Sequence, residues 1–480
     1  MTIMNVICPG CGACCDDIQI DFIGNGNEKG NEDQHGLIIK NACKIGHAKF
    51  LQVISDRRIR VPLIKEHQDN GKFKKASWEE ALEKAGRILT IAKRPLIFLG
   101  SDISCEAMQV GLLLGEYLGG VVDSGTSVRN SPTVMGVQEA GQVGATAGQS
   151  KIRSDLAVYW GTNPLESMPR HMSLYAIYPR GYWTRRGRTD RTIITVDPRR
   201  SITAEMSDFH IQLNAGTDYE LLSALLTLLH GKSPHPSVEK VTGISIDQMN
   251  EILEIMKGCN CGAIYLGSGI ASSSGKHRNV ELALHLAAEL NEFTKFVIGP
   301  LSSNCNTGGF SQTASALYGF PFGLDFSRGY PRYNPGEYTT VNLLRERDID
   351  AALLVSSNLD AHLPADCAEY LAEIPTVCID VIPGPMTQLA DVVLPGVIDA
   401  IECEGTLHRF DGVCIHSKSI MHSPFTFADS NEHILKQLFS ALLNPVVAAG
   451  QNQSQSCRSI FHAPLLPTSE RHSRKYAWKG

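Results

Sequence analysis

Five of the chain's 14 cysteines lie within its first 43 residues. They read Cys8-Pro-Gly-Cys11-Gly-Ala-Cys14-Cys15, with Cys43 following in Asn41-Ala-Cys43-Lys-Ile-Gly-His47. Small residues between the sulfurs let such a loop curl until several thiolates face one centre. The spacing C-x2-C-x3-C-x27-C over Cys8, Cys11, Cys15 and Cys43 suits the four-thiolate ligation of a [4Fe–4S] cluster. Tetrahedral zinc also takes four thiolates, but zinc sites usually carry two C-x2-C knuckles and this chain has one. Cys14 is either a spare or the true third ligand, and spacing does not choose. In a reducing compartment, thiols gathered at one end of a chain favour metal or cluster chemistry over disulfides.

A second set of candidates stands at the ends of short apolar runs. The runs are Pro95–Gly100, Leu156–Gly161, Thr192–Asp197, Ala263–Gly267, Ala351–Ser356, Thr376–Asp380 and Ala390–Pro395. Continuously apolar strands ending in Gly, Ser, Asp or Pro are the mark of parallel sheets covered by helices on both faces. Helical patterns fall between them at Tyr219–Leu229, Val280–Leu290 and Leu363–Ala372, and Ser77-Trp-Glu-Glu80 reads as a capping box before another. The fold class is therefore α/β, with multiple doubly wound parallel-sheet domains beside a small cysteine-rich one. Ligands of such sheets sit beyond the carboxyl ends of the strands. That rule nominates Asn163, Asp197, Arg199, Gly267, Asn358 and Asp391 for a large nucleotide-like ligand carrying pyrophosphate. No strand is followed by the G-x-G-x-x-G fingerprint, which argues against an ordinary NAD domain.

Three polar stretches are richer than a loop requires. Lys276 and His277, in Gly275–Asn279, form either an anion site or a basic solvated turn. Arg328 and Arg332, within Asp325–Glu337, belong either to aromatic–proline packing or to a carboxylate-handling loop. Arg409 lies in the dense turn Glu402–Gly412. Length and composition set the frame around these candidates. A chain of 480 residues predicts about three modules, placed at 1–70, 71–255 (itself discontinuous) and 256–445, with a polar tail at 446–480 that is mobile or ordered only on a partner. The segment Gly24–Gln34 reads as a polar loop or hairpin. A net charge of −6 supplies no electrostatic argument for nucleic acid or anionic membrane. No apolar run approaches the roughly 18–20 residues that span a bilayer, and no export signal opens the chain, so a cytoplasmic protein is expected.

On these residues the chain resembles the B subunits of formylmethanofuran dehydrogenases, within the molybdopterin oxidoreductase superfamily. The resemblance runs from about Cys8 to about Ser419. It is carried by the cysteine loop, Val158-Tyr-Trp-Gly-Thr-Asn-Pro, Pro169-Arg-His-Met-Ser173, Val196-Asp-Pro-Arg, Gly275-Lys-His-Arg-Asn, Asp325 through Glu337, Ala390-Asp-Val-Val-Leu-Pro and Glu404 through Gly412. The resemblance implies a tungsten or molybdenum bis(pterin guanine dinucleotide) site, fed by the N-terminal cluster, that interconverts CO2 and formate. It also implies partners: an amidohydrolase-like A subunit, a formyltransferase-type D subunit, and a C subunit or β-barrel-cap subunit. Arg328 would match the family's active-site arginine.

One stretch departs from the pattern. The family reads Val-Cys-His-Gly-Pro, with the cysteine on the metal and the histidine beside the substrate; this chain reads Val128-Arg129-Asn130-Ser131-Pro132. A guanidinium has no lone pair to donate to a metal. Asn130 cannot serve as a general acid or base as histidine does. Ser131 has an oxygen but is two residues out of register. The resemblance to the formyltransferase/hydrolase complex of methylotrophic bacteria accommodates this loss, because the B subunit there is thought not to be a redox centre. The expectation is a non-redox scaffold subunit; the alternative is a working dehydrogenase subunit whose metal has no protein ligand.

Overall fold

Alternation with a period of two inside the apolar runs determines how the layers stack, because each strand must satisfy two covering layers. The computed structural model describes residues 4–23, 36–66, 71–356, 359 and 363–443. The segment Gly24–Gln34, Asn358 and the tail 446–480 lie outside the described residues.

The N-terminal strands β1 (Met4–Val6), β2 (Ile18–Ile23) and β3 (Gly36–Lys40) form a three-stranded antiparallel sheet, followed by the helix Lys44–Leu51. The chain then enters a nine-stranded sheet with β4 (Leu63–Glu66), β5 (Lys72–Lys75), β6 (Pro95–Leu99) and β7 (Val121–Ser124). It leaves to build a five-stranded, wholly parallel sheet from β8 (Leu156–Trp160), β9 (Thr192–Val196), β10 (Phe209–Ile211), β11 (Cys261–Leu266) and β12 (Lys295–Pro300). It returns through β13 (Leu324–Asp325), β14 (Arg332–Tyr333), β15 (Ala351–Val355), β16 (Thr376–Asp380) and β17 (Val392–Pro395), and adds the hairpin β18 (Gly405–His408) and β19 (Cys414–Ser417). The two large sheets run in the orders β14-β13-β7-β6-β15-β16-β17-β4-β5 and β10-β9-β8-β11-β12.

All seven expected runs are strands in parallel ladders. In the larger sheet, Ile97, Leu99, Leu353, Val355 and Ile379 face the helices Trp78–Ile91, Cys105–Leu118 and Asn431–Leu443, while Leu96, Phe98, Ala352, Leu354 and Cys378 face the opposite layer. Ser77 caps the first of these helices by accepting the Glu80 amide at 3.2 Å. In the smaller sheet, Val158, Trp160, Ile264 and Leu266 face helices, whereas Ala157, Tyr159, Ala263 and Tyr265 face a core shared by the cysteine loop and residues 168–177. The cysteine-rich segment thus contributes to one of the two layers this sheet needs, with residues 168–177.

The domain divisions expected from the sequence need correction. A boundary between 255 and 256 would cut the smaller sheet, because β11 pairs with β8 from Gly262↔Leu156 to Leu266↔Trp160. The discontinuous unit is the larger sheet, interrupted between β7 and β13. The cysteine-rich segment ends earlier than residue 70, because β4 pairs with β17 at Ile64↔Val392.

Candidate functional site

The cysteine loop is closed by backbone bonds from Cys8 N to Cys15 O (2.9 Å) and from Cys14 N to Cys11 O (3.2 Å). Gly10 N–H points at Cys8 Sγ, 3.4 Å away. Cys43 occupies the N-cap of the helix Lys44–Leu51, where the unpaired amides of the first turn favour negative charge. That helix lies close over the loop: a Cβ on Gly46 would stand 2.8 Å from Cys8 Sγ. Burial pushes the thiols of Cys8, Cys11 and Cys15 up to about 12, and the neighbouring thiols, Cys43 among them, add to the effect. The four sulfurs are therefore within electrostatic reach of one another. A single tetrahedral ion needs thiolates within about 4 Å of each other. Among the described residues, no three His, Cys, Asp or Glu side chains are arranged to hold a metal ion. Cys14, with φ of +40°, turns its sulfur to Cys305 Sγ at 3.9 Å.

Two arginines brace the loop. Arg170 forms a two-pronged pair with Asp17 at 2.5 Å on each prong, which holds the Asp17 carboxyl below its usual range. Arg409 does the same with Asp411 at 2.8 and 2.7 Å, and lies over the Tyr175 ring. Next to Arg170, His171 is fully buried among Tyr159, Tyr175, Tyr265 and Phe410. Neither ring nitrogen has a hydrogen-bond partner, and burial pushes its pKa down to about 3, so the ring is neutral.

The segment Val128–Pro132 is helical on both sides of one break. Ser124 caps the short helix Gly125–Arg129, and Asn130 is the N-cap of Ser131–Ala140. Arg129 is half-buried and donates from Nη1 to Asn304 Oδ1 at 3.1 Å. It lines a small cleft at the carboxyl ends of β6, β7 and β15, together with Phe98, Ser101, Val128, Asn304 and Ser356. Burial lowers its pKa, and Asp102 opposes that effect. Asp102 is itself paired with Lys49 at 2.8 Å. The carboxyl of Asp380, at the end of β16, is pushed up to about 6 by burial. Neither Asn130 nor Ser131 is among the residues lining the cleft; the Ser131 hydroxyl donates back to Ser127 O at 2.9 Å.

Other expected site residues are placed as follows. Asn163, Asp197 and Gly267 do stand at carboxyl strand ends of the smaller sheet. Their polar groups are largely used locally: Asn163 Oδ1 accepts from Thr203 Oγ1 (2.6 Å), and Asp197 Oδ1 accepts from Arg199 N (2.8 Å). The Arg199 side chain is 79% exposed, too open to be held by this fold alone. Gly161 has φ of +59°, and a Cβ there would meet Ile270 N at 2.4 Å, so the β8 and β11 loops interlock. Lys276 is exposed and His277 half-buried at the start of the helix His277–Leu290.

Two expectations are overturned by position. Asp391 precedes β17 and accepts from Thr376 N (2.9 Å) at the start of β16, so it ties amino ends of strands together, away from the ligand side. Arg328 is exposed. It follows β13, which runs antiparallel to β7 with Asp325 opposite Val121, and so emerges at the amino end of β7 while Arg129 follows the carboxyl end. The Asp325–Glu337 loop is structural: buried Asp325 bridges Arg94 and Arg332, and both guanidiniums lie over the Tyr338 ring.

Sequence reasoning missed Asn304, Lys49, Asp102 and Asp380. Asp102 and Asp380 follow from extending the strand-end rule by a residue or two. Asn304 was hidden because Gly299-Pro300 masks β12, and nothing in the sequence marks Lys49.

The family pattern described as Molybdopterin oxidoreductase matches residues 58–440. The B subunit of the tungsten-containing formylmethanofuran dehydrogenase 2 of Methanocaldococcus jannaschii is 40% identical over 422 residues, covering 88% of this chain and 94% of that relative. Its namesake from Methanococcus maripaludis is 38% identical over 434 residues, covering 90% and 97%. Among solved structures, a chain of the formyltransferase/hydrolase complex from Methylorubrum extorquens, determined with methylofuran, superposes with a TM-score of 0.63. It is 17% identical, covers 80% of this chain and 99% of its own, and shares the fold.

Proposed function

The chain belongs to the molybdopterin oxidoreductase family and, within it, with the B subunits of formylmethanofuran dehydrogenases, and from that premise we propose that it is a non-redox B component, a scaffold in a formyl-transferring, formate-releasing complex of one-carbon metabolism. The observation that carries the reading is Arg129. On the resemblance it stands where the family has its metal-ligating cysteine; in the structure it lines the strand-end cleft and donates to Asn304. A guanidinium is cationic at every ordinary pH and has no lone pair to give. The residues present at that position do not fit a metal bound through the protein, so no redox step is assigned to the cleft. The named function of the Methylorubrum neighbour, a formyltransferase/hydrolase complex, is in keeping with this reading.

In this proposal the partners are an amidohydrolase-like A subunit, a formyltransferase-type D subunit, and a C or β-barrel-cap subunit, in the cytoplasm. No described helix is long and apolar enough to cross a membrane. Cys8, Cys11, Cys15 and Cys43 would hold a [4Fe–4S] cluster. The burial of Cys8, Cys11 and Cys15, the N–H aimed at Cys8 Sγ and the helix terminus at Cys43 suit thiolates that a metal has deprotonated. Such a cluster supplies one-electron transfer, or rigidity where no electrons move. Cys15 serves as third ligand, since Cys14 is turned towards Cys305.

The 40% identity to a tungsten-containing relative and the retained cysteine loop favour a second reading, a working tungsten- or molybdenum-pterin dehydrogenase subunit. Metal analysis of the purified complex, together with formate-dependent dye reduction, separates the two. The scaffold reading expects neither tungsten nor molybdenum in stoichiometric amount and no reduction. Stoichiometric metal with turnover would refute it.

A further inference from the structure

We infer that the loop 178–188, with the end of the helix Ala147–Arg153, is a docking surface for a neighbouring subunit whose face is an apolar socket with an acidic rim. The inference rests on the multi-subunit complex argued above, and on neither of its two redox readings. Three aromatic side chains of this loop are left in solvent: Tyr182 is 59% exposed, Trp183 46% and Tyr178 45%. Ile152, whose carbonyl accepts the Tyr182 amide at 2.7 Å, is also exposed. At roughly 200 Å² for each aromatic, the three rings leave on the order of 300 Å² uncovered, enough to form the centre of an interface.

This exposure does not come from looseness. The buried Arg191 guanidinium donates to the carbonyls of Lys151 (2.8 Å), Ser154 (2.9 Å), Ile177 (2.7 Å) and Pro179 (2.5 Å), clamping the helix end to the start of the loop. A cation buried on carbonyls alone is costly, and what it secures here is the shape of an exposed loop. Gly187, with φ of +70°, lets the loop close on itself, since a Cβ would meet Tyr178 O at 2.6 Å. A loop held rigid in advance loses little entropy on docking.

Charge defines the partner. Asp190 is committed to Arg186 at 2.6 Å, and Asp208 to Arg188 at 2.9 Å. Lys151, Arg153, Arg180 and Arg185 are exposed and make no ion pair among the described residues. Four unpaired cations on the same loop and helix end call for an acidic rim, and Trp, Tyr and Arg are the side chains that dominate interface energetics. The same features set other occupants aside. A second copy docked face to face would oppose these four cations with four more. Stacking of nucleic-acid bases needs open ring faces. Here Trp183 and Tyr182 pack edge to face at 4.6 Å and 89°, and Arg153 lies over the Tyr182 ring at 5.6 Å. Tyr175, just before the loop, donates to Ala13 O at 3.3 Å, so the docked subunit sits against the layer that holds the cysteine loop.

The test is hydroxyl-radical footprinting of the purified complex against the full-length chain alone, read by mass spectrometry. Tyr182 and Trp183 should oxidise at least about five-fold more slowly in the complex, as burial in an interface core requires. Trp183→Ala should weaken association with the purified partner subunits about thirty-fold, the loss typical of a buried interface aromatic. Arg180→Glu with Arg185→Glu should weaken it too, and reduce its dependence on sodium chloride. An unchanged melting temperature of the chain confirms that the variants fold; should Trp183→Ala not fold, the arginine pair and the footprint decide. Equal oxidation in the complex and the free chain overturns the inference, and so does association unchanged by the variants. Dimerisation of the chain alone, or binding of a single-stranded oligonucleotide or of phosphatidylglycerol vesicles, overturns it as well if these substitutions abolish it. Tungsten or molybdenum with dye reduction would refute the scaffold reading and leave this inference standing, whereas equal oxidation would do the reverse.

Discussion

Asp123 offers the sharpest test of how the Arg129 cleft is built. It is fully buried at the end of β7, one residue before the cap of the helix Gly125–Arg129. Its Oδ2 accepts from Ser127 Oγ (2.5 Å), Thr340 N (2.7 Å) and Thr340 Oγ1 (2.6 Å), and its Oδ1 from Gly323 N (3.2 Å). One carboxylate therefore ties the helix carrying Arg129 to two returning segments of chain. Hydrogen bonds to a charged group contribute about 1.5–3 kcal/mol each, but the sum does not add simply. Ser127 Oγ already has Ser124 O as a second acceptor at 3.1 Å. The two backbone amides have no such alternative, so Asp123→Ala should cost about 3–5 kcal/mol. In Asp123→Asn the amide oxygen can take the place of Oδ2 and only the Gly323 contact is lost, at about 1–2 kcal/mol. Burial also raises the Asp123 carboxyl pKa, so the wild type loses stability as pH rises from the unfolded value of 3.8 through the folded one. The asparagine variant lacks that loss, and its deficit should shrink as pH rises. Urea denaturation followed by tryptophan fluorescence at several pH values measures both effects. If Asp123→Ala costs less than about 1 kcal/mol, or asparagine costs as much as alanine, this account of the β7 end is wrong.

Two further outcomes follow from buried charge. Asp380 is raised from 3.8 to about 6 by burial, so the folded state favours its protonated form and loses stability as pH climbs through that interval. Asp380→Asn should match the wild type near pH 3 and exceed it by up to about 3 kcal/mol above pH 7; equal denaturation midpoints at both ends would refute this. The Arg58–Glu402 pair is two-pronged at 2.6 Å, with side chains only 2% and 1% exposed. Glu402→Gln should cost about 3–5 kcal/mol by stranding Arg58, whereas Arg58→Met with Glu402→Met should return to within about 1 kcal/mol of wild type, as a thermal-melt double-mutant cycle would read.

Fold and site were legible in the sequence to different degrees, and the reason is where the information resides. Runs such as Leu156–Trp160 and Ala351–Val355 are apolar on both faces, so strand, parallel pairing and two covering layers follow from composition alone. The identity of the covering layer does not. Nothing in Cys8–Cys15 announces that it shares a core with Tyr159 and Tyr265. Domain limits failed for the same reason, since β11 returns to pair with β8 only after β9 and β10 have been added on the other side. At the site, Arg129 was legible because its chemistry conflicts with its place in a pattern. Arg328 misled because a motif gives neighbours in sequence, while the direction of β13 decides which end of the sheet receives it. Asp391 misled similarly, since a strand-end residue must lie at the carboxyl end to meet a ligand.

The cysteine loop and the Arg129 cleft are one mechanical unit, and this bears on what the thiols do beside Arg129. The segment after β12 passes between them. A Cβ on Gly12 would lie 2.6 Å from Ser302 O, Cys14 Sγ stands 3.9 Å from Cys305 Sγ, and Asn304 between these contacts holds Arg129. Cys8, Cys11 and Cys15 also pack in the hydrophobic core that covers one face of the smaller sheet. Buried cysteine sulfurs pack as small apolar groups within this core. Substituting them would disturb the loop, the segment carrying Asn304, and the orientation of the guanidinium, whether or not any electron crosses the site. Packing that shapes the cleft is therefore a role these cysteines have whether the scaffold or the dehydrogenase reading holds, alongside the cluster ligation proposed for Cys8, Cys11, Cys15 and Cys43.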